Sequence, residues 1–214
     1  MNRKDIDYTL YLCTDRGCLM GRDLNHAVEQ AIAGGCTVVQ LREKNIETSE
    51  FYQIAKEVKQ VTDRYQVPLL INDRLDIVLA VDADGVHLGQ TDLPAAIARQ
   101  ILGPDKIIGV TAKSVEQAQK AYADGADYLG VGAVYPSPTK PDAKAITLAG
   151  LREIVRSVSI PVVAIGGITK EKIAELKPCG IAGVAVISAI LGGEDPKKNA
   201  EEILQIWQLG GKEG

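Results

Sequence analysis

The sequence predicts a (β/α)8 barrel, and three observations carry that reading. Strand-like and helix-like segments alternate from one end of the 214 residues to the other. The strand-like segments are short and apolar at both parities, as expected for a parallel sheet covered on both faces. Helices stop at glycine or small residues and a strand follows at once, as in Ala33-Gly-Gly-Cys-Thr-Val-Val, Ala123-Asp-Gly-Ala-Asp-Tyr-Leu and Pro178-Cys-Gly-Ile-Ala-Gly-Val. Glycine just past a helix end relieves the left-handed backbone needed there. A doubly wound open sheet is the alternative, but no GxGxxG follows the first strand. Eight units in one domain over residues 1–214, with a frayed tail from about residue 210, fit the small end of the barrel's size range.

The elements are expected in this order. Tyr8–Thr14 is a strand, and Leu24–Ala33 is a helix ended by Gly34-Gly35. Thr37–Arg42 is the second strand. Thr48-Ser49-Glu50 caps a helix that runs to about Tyr65, with Ile54, Val58 and Val61 on one face. Val67-Pro68 breaks it before the strand Leu69–Asn72. A short helix Leu75–Val81, the strand Gly85–Leu88 and a helix opened by Pro94 follow. Then come the strand Ile107–Thr111, a helix capped at Ser114 and ended at Gly125, and the strand Tyr128–Val131. The last units are the helix Leu148–Val158, the strand Pro161–Ile165, a helix from Thr169 to Pro178 and Gly180, the strand Gly183–Ile187 and the helix Pro196–Leu209.

Composition excludes some functions. With 46% apolar residues, 24% charged residues and a net charge of −4, the chain has no bulk attraction for nucleic acid or an anionic membrane. Only nine of its residues are aromatic, so it offers no platform for stacked bases. The longest weakly polar run, Ile181–Gly193, is too short to span a bilayer, and the N-terminus does not read as a signal peptide, so a cytoplasmic protein is expected. Cys13, Cys18, Cys36 and Cys179 form no CxxC pair and read as buried free thiols. Whether copies of the chain form a homo-oligomer is left open.

In such a barrel the site is built at the carboxyl ends of the strands. Strand 2 runs Thr-Val-Val-Gln-Leu-Arg-Glu-Lys, so Gln40, Arg42 and Lys44 share one parity and leave the strand end in one direction. Two cations and an amide there want an anion; the alternative is a salt-bridged strand end with Glu43 or Asp73. Asp73 and Asp92 stand at neighbouring strand ends, where two short carboxylates suit a Mg²⁺ that also takes phosphate oxygens. Each is also a plausible helix cap. Gly166-Gly167 after strand 7 allows close approach of a phosphate, and Ile187-Ser188-Ala189 adds donors at a helix start. His87 sits inside strand 4 and reads as a core histidine; His26 lies on the first helix. With no histidine at a strand end, stabilising a leaving group's charge is the expected chemistry.

Gln40-Leu-Arg-Glu-Lys44, Ile71-Asn-Asp-Arg74, Asp84-Gly-Val-His-Leu-Gly-Gln-Thr-Asp-Leu-Pro94, Thr139-Lys140, Ile165-Gly-Gly-Ile168 and Val186-Ile-Ser188, in this order, resemble the thiamine phosphate synthase family over essentially the whole chain. The resemblance implies a barrel that joins a hydroxymethylpyrimidine diphosphate to a thiazole phosphate and releases pyrophosphate through a pyrimidine cation. It implies that Gln40, Arg42, Lys44, Asn72 and Lys140 hold the pyrimidine diphosphate. It further implies that Asp73 and Asp92 hold Mg²⁺, and that Ser137, Pro138, Thr139, Gly167, Ile187 and Ser188 hold the thiazole phosphate. Two stretches depart from the family pattern. Gly109-Val-Thr-Ala-Lys113 has Thr111 and Lys113 where the family usually has serine and histidine, and Pro136-Ser-Pro-Thr-Lys140 has Ser137 for threonine. Thr111 keeps a hydroxyl and is retained as a substrate contact. Arg42, Lys44, Lys140 and Thr111 are the expected catalytic groups. The similar thiazole tautomerases rely on a histidine at the position of Lys113 and tend to lack the second carboxylate, so that isomerase is the alternative. A sensor that binds product without turnover is a third.

Overall fold

A computed structural model describes residues 3, 5–136 and 145–210. Eight parallel strands close on one another in chain order: β1 (Leu10–Cys13), β2 (Val38–Leu41), β3 (Leu69–Asn72), β4 (Gly85–Leu88), β5 (Ile107–Ala112), β6 (Tyr128–Gly132), β7 (Val162–Ile165) and β8 (Gly183–Val186). The β1–β8 ladder, with Leu10 opposite Val184 and Leu12 opposite Val186, removes both sheet edges and excludes the open-sheet alternative. The helices α1 (Leu24–Ala33), α2 (Thr48–Tyr65), α3 (Leu75–Val81), α4 (Ala95–Leu102), α5 (Val115–Ala123), α6 (Leu148–Ser157), α7 (Ile173–Leu176), α8 (Ser188–Leu191) and α9 (Pro196–Leu209) follow the strands. The expected tail beyond Gly210 lies outside the described residues.

Strand alternation splits the core in two. Leu12, Val39, Leu41, Leu69, Ile71, Val86 and Leu129 face outward into the layer shared with the helices. Tyr8, Tyr11, Val38, Leu70, Ile107, Tyr128, Val163 and Ala185 fill the barrel. The Tyr128 ring occupies space left by Gly109, where a Cβ would lie 2.1 Å from the Tyr128 Cζ. Several helix starts follow local chemistry. Asp23 accepts from the His26 N–H at 2.8 Å, Thr147 from Gly150 at 3.1 Å, and Asp195 from Lys198 at 2.9 Å just before Pro196.

Several expectations are corrected. α2 has no side-chain cap: its N-cap is Glu47, so Thr48 is already the first helical residue, and its hydroxyl accepts the Arg74 guanidinium at 3.0 Å. The segment after Thr169 breaks into α7 flanked by single 3₁₀ turns, since the Thr169 hydroxyl donates to Glu171 at 2.6 Å rather than capping, and Pro178 has no N–H to continue the helix. β8 stops at Val186, and Ser188 begins the four-residue α8. Cys18 is half-buried, unlike Cys13, Cys36 and Cys179, and none of the four is in a disulfide.

Candidate functional site

Gln40, Arg42 and Lys44 stand at the barrel mouth, but they leave β2 in different directions. Gln40 is 3% exposed and points into the barrel. β2 ends at Leu41, so the backbone beyond it is no longer fixed by the ladder, and the two cations fan out to opposite neighbours. Arg42 pairs with Asp15 of the loop after β1 at 3.2 Å, while its own N–H donates to Thr14 Oγ1 at 3.0 Å. Lys44 pairs with Asp73 beyond β3. Lys44 thus makes the pairing that sequence offered as a structural alternative, whereas Glu43 turns to Arg16 at 2.8 Å. Asp15 was not foreseen, because a partner 27 residues away leaves no local signal.

The two carboxyls meet. Asp73 holds a left-handed backbone (φ 65°), and its N–H donates to the His87 carbonyl at 2.9 Å, which carries its side chain over the end of β4. Asp92 is turned back by the Gly89 N–H, which it accepts at 2.6 Å. The carboxyls are hydrogen-bonded to each other. Burial and the neighbouring Asp73 push Asp92 up. Burial also opposes the charge on Asp73, but hydrogen bonds from Lys44 and Asp92 hold it below the usual aspartate range. Asp92 is therefore the member of the pair that takes up a proton more readily, as expected where two carboxyls crowd each other with no cation between them. Beside them Asn72 is 8% exposed, and its Nδ2 is buried with no partner among the described residues. A buried donor of this kind is costly unless a ligand takes it up.

Across the mouth, Gly166 (φ 98°) and Gly167 (φ 62°) turn the chain after β7. A Cβ on Gly167 would stand 2.4 Å from the Pro136 carbonyl oxygen, so only glycine fits. These glycines, Ile168 and the residues Ala185–Ser188 line a small cleft of ≈ 50 Å³. The carbonyl end of α8 is held from below: Arg22 donates to the Leu191 and Gly193 carbonyls and Asn199 to Ile190 at 3.1 Å. Neither residue was picked out from sequence. Tyr135 N–H donates to the Gly166 carbonyl at 3.1 Å and Ile146 N–H to Ala133 at 2.8 Å, so the loop carrying Ser137, Pro138, Thr139 and Lys140 leaves and returns beside this cleft. Those four residues lie outside the described ones.

Thr111 is at the mouth, half-buried on β5, with His87 Nε2 2.9 Å from its hydroxyl. His87 is buried, as expected of a core histidine, but it lies directly beneath a site residue. Lys113 is exposed, and its N–H donates to Gln117 Oε1 at 2.8 Å. No group of three or more metal-ligating side chains occurs among the described residues, so any metal here would rest on the carboxylate pair and on ligand oxygens.

A closed parallel barrel with cations, a carboxylate pair and a glycine-lined cleft around one mouth defines an enzyme of phosphorylated small molecules. Comparison with known proteins makes this specific. The family model described as thiamine monophosphate synthase matches residues 10–190. A thiamine-phosphate synthase of Clostridium tetani is 57% identical over 95% of this chain and 97% of its own. One from Ruminiclostridium cellulolyticum is 58% identical over 96% and 98%. The solved structure of a thiamine phosphate pyrophosphorylase from Pyrococcus furiosus superposes with a TM-score of 0.88 at 44% identity, covering 96% of this chain and 98% of that one. The chain belongs to the thiamine monophosphate synthase family. Among the described residues no helix is long and apolar enough to cross a membrane.

Proposed function

We infer that this barrel is a transferase of thiamine biosynthesis, a thiamine-phosphate synthase. It couples 4-amino-5-hydroxymethyl-2-methylpyrimidine diphosphate to 4-methyl-5-(2-hydroxyethyl)thiazole phosphate. The bond between the pyrimidine methylene carbon and the diphosphate oxygen breaks, its electron pair leaving with pyrophosphate. The thiazole nitrogen then forms the new bond to the pyrimidine cation. The observation that carries this reading is the pairing of two different anion sites at one mouth. One has Arg42, Lys44, the orphaned Asn72 amide and the Asp73–Asp92 couple; the other is the glycine cleft of β7 and β8.

Gln40, Arg42, Lys44, Asn72, Thr111 and Lys140 hold the pyrimidine diphosphate. Arg42, Lys44, Lys140 and Thr111 stabilise charge on the departing pyrophosphate, the term that contributes most to such a step. Ser137, Pro138, Thr139, Gly167, Ile187 and Ser188 hold the thiazole phosphate, with backbone donors reaching oxygens that a Cβ would keep away. The hard oxygen pair of Asp73 and Asp92 fits Mg²⁺; bound there, the ion supplies positive charge next to the diphosphate. Lys44 pairs with Asp73 in the free protein, and a cation held by that carboxylate would leave Lys44 available to the ligand. The protein works in the cytoplasm.

The test is pyrophosphate release by the purified protein with both substrates and Mg²⁺, then with each omitted. Release that requires the pyrimidine and magnesium, with thiamine phosphate appearing in step, supports the reading. Conversion of the thiazole phosphate tautomer without any pyrimidine would replace it with the isomerase.

A further inference from the structure

Five side chains form an unbroken line of hydrogen bonds across the barrel just below the mouth. Gln40 Nε2 donates to the Tyr11 hydroxyl at 2.7 Å, and that hydroxyl lies 2.8 Å from the Tyr128 hydroxyl. Tyr128 in turn lies 2.8 Å from His87 Nδ1, and His87 Nε2 lies 2.9 Å from Thr111 Oγ1. The line begins and ends on residues assigned above to the pyrimidine diphosphate, while Tyr11, Tyr128 and His87 have no role there. The strands are cut to fit it. Besides the Gly109 slot for Tyr128, a Cβ on Gly130 would stand 2.8 Å from His87 Cε1.

The donor sense of the whole line follows from one end. Burial pushes both phenols up, so each keeps its single proton. An amide nitrogen only donates. With Gln40 Nε2 on Tyr11, the Tyr11 proton goes to Tyr128 and the Tyr128 proton to His87 Nδ1. The imidazole then carries its proton on Nε2 and gives it to Thr111 Oγ1. The Thr111 hydroxyl, already accepting, turns its own proton to the mouth. Cys13 Sγ, 3.6 Å from Gln40 Oε1 and 3.9 Å from the Thr14 carbonyl oxygen, is consistent with this amide orientation, in which the thiol can donate to the amide oxygen. With the amide reversed every bond reverses, and Thr111 would present only lone pairs to an anion.

We propose that this relay makes Thr111 a hydrogen-bond donor to the departing diphosphate, with Tyr11, Tyr128 and His87 as the positioning residues that set its sense. The proposal rests on the reading of Thr111 as a diphosphate contact. An amide fixed deep in the barrel on β2 thereby decides the polarity of a hydroxyl on β5.

The chain has two histidines, and His26 is exposed, so ¹⁵N-histidine-labelled protein gives a spectrum in which His87 is readily assigned. Free enzyme should show His87 as the Nε2–H tautomer, and Tyr128→Phe should abolish that preference. In turnover, Tyr128→Phe and Thr111→Val should each lower kcat/KM for the pyrimidine diphosphate about tenfold, the scale of one hydrogen bond. The double variant should be no worse than Thr111→Val, and Thr111→Ser should retain activity. Tyr8→Phe makes the same change on a ring stacked 4.7 Å from Tyr128 but outside the relay, and should move neither readout. An Nδ1–H tautomer in the free enzyme, or losses that multiply in the double variant, would overturn the relay. Should Tyr128→Phe fold poorly, Tyr11→Phe breaks the same line. If the protein shows no synthase turnover at all, the tautomer still decides the relay, and the failure belongs to the functional reading.

Discussion

The two ends of the barrel use the same residue types to opposite ends. At the amino end Asp127 accepts the Ile108 N–H at 2.8 Å and the Arg99 guanidinium at 2.6 Å, and pairs with Arg3 as well. Asp84 accepts the Leu69 N–H at 2.9 Å and lies 3.7 Å from Lys59. Both carboxylates are matched by donors of the protein itself. At the carboxyl end Asp73 and Asp92 are set against each other, and the Asn72 amide lacks a partner among the described residues. Satisfied polar groups lock a structure, and unsatisfied ones are what a ligand can complete. The closed end therefore stabilises the barrel, and the mismatched end is the one that works.

Substitutions at the two ends should separate stability from activity. The largest effect belongs to the mouth: Asp92→Ala or Asp73→Ala should cut turnover by about a thousandfold, the upper scale for losing one preorganised charge-stabilising group, while thermal unfolding stays near wild type. Unchanged turnover at saturating magnesium would remove the metal role. Next in size, Asp127→Ala should destabilise the fold by about 3 kcal/mol, since it strands a buried N–H and the Arg99 cation. Denaturant unfolding measures this, and kcat of the folded fraction should be unaltered; a fall in kcat would mean the ends are not independent. Gly167→Ala should cost about 2 kcal/mol from the left-handed backbone and raise KM for the thiazole phosphate more than for the pyrimidine diphosphate. Equal effects on both substrates would break the division of the mouth into two sites.

The smallest effect is in the pH dependence of the metal-free protein. Asp92 has a raised folded pKa, so its contribution to stability is present below the unfolded value, about 4, and is lost as pH rises through the folded value. Asp73 is lowered, so its contribution is present above the unfolded value and lost as pH falls through the folded one. Asp92→Asn should remove the first component and leave the second, making metal-free protein slightly more stable above that window. Magnesium with pyrophosphate should raise the melting temperature of wild type but not of this variant. Melting curves that respond identically in both proteins would place the ion elsewhere.

Sequence alone determined the eight alternating units and most element ends, because these are local. Apolar periodicity sets strands and helices, and glycine, proline and capping side chains mark their ends within a few residues. Parity likewise set Gln40 on one face of β2, and barrel closure made that face the inner one. Where a distant group took up a side chain the reading slipped, as when Arg42 paired with Asp15, 27 residues away. Tyr11 and Tyr128 gave a fainter signal: a tyrosine in a buried strand needs a partner for its hydroxyl. What that partner is only tertiary structure decided. Tyr11 meets Tyr128 across 117 residues, His87 meets Tyr128 across 41, and Lys44 reaches Asp73 across 29. Barrel closure brings such residues together, and hydrogen bonds and ion pairs form by distance in space, to which periodicity along the chain is blind.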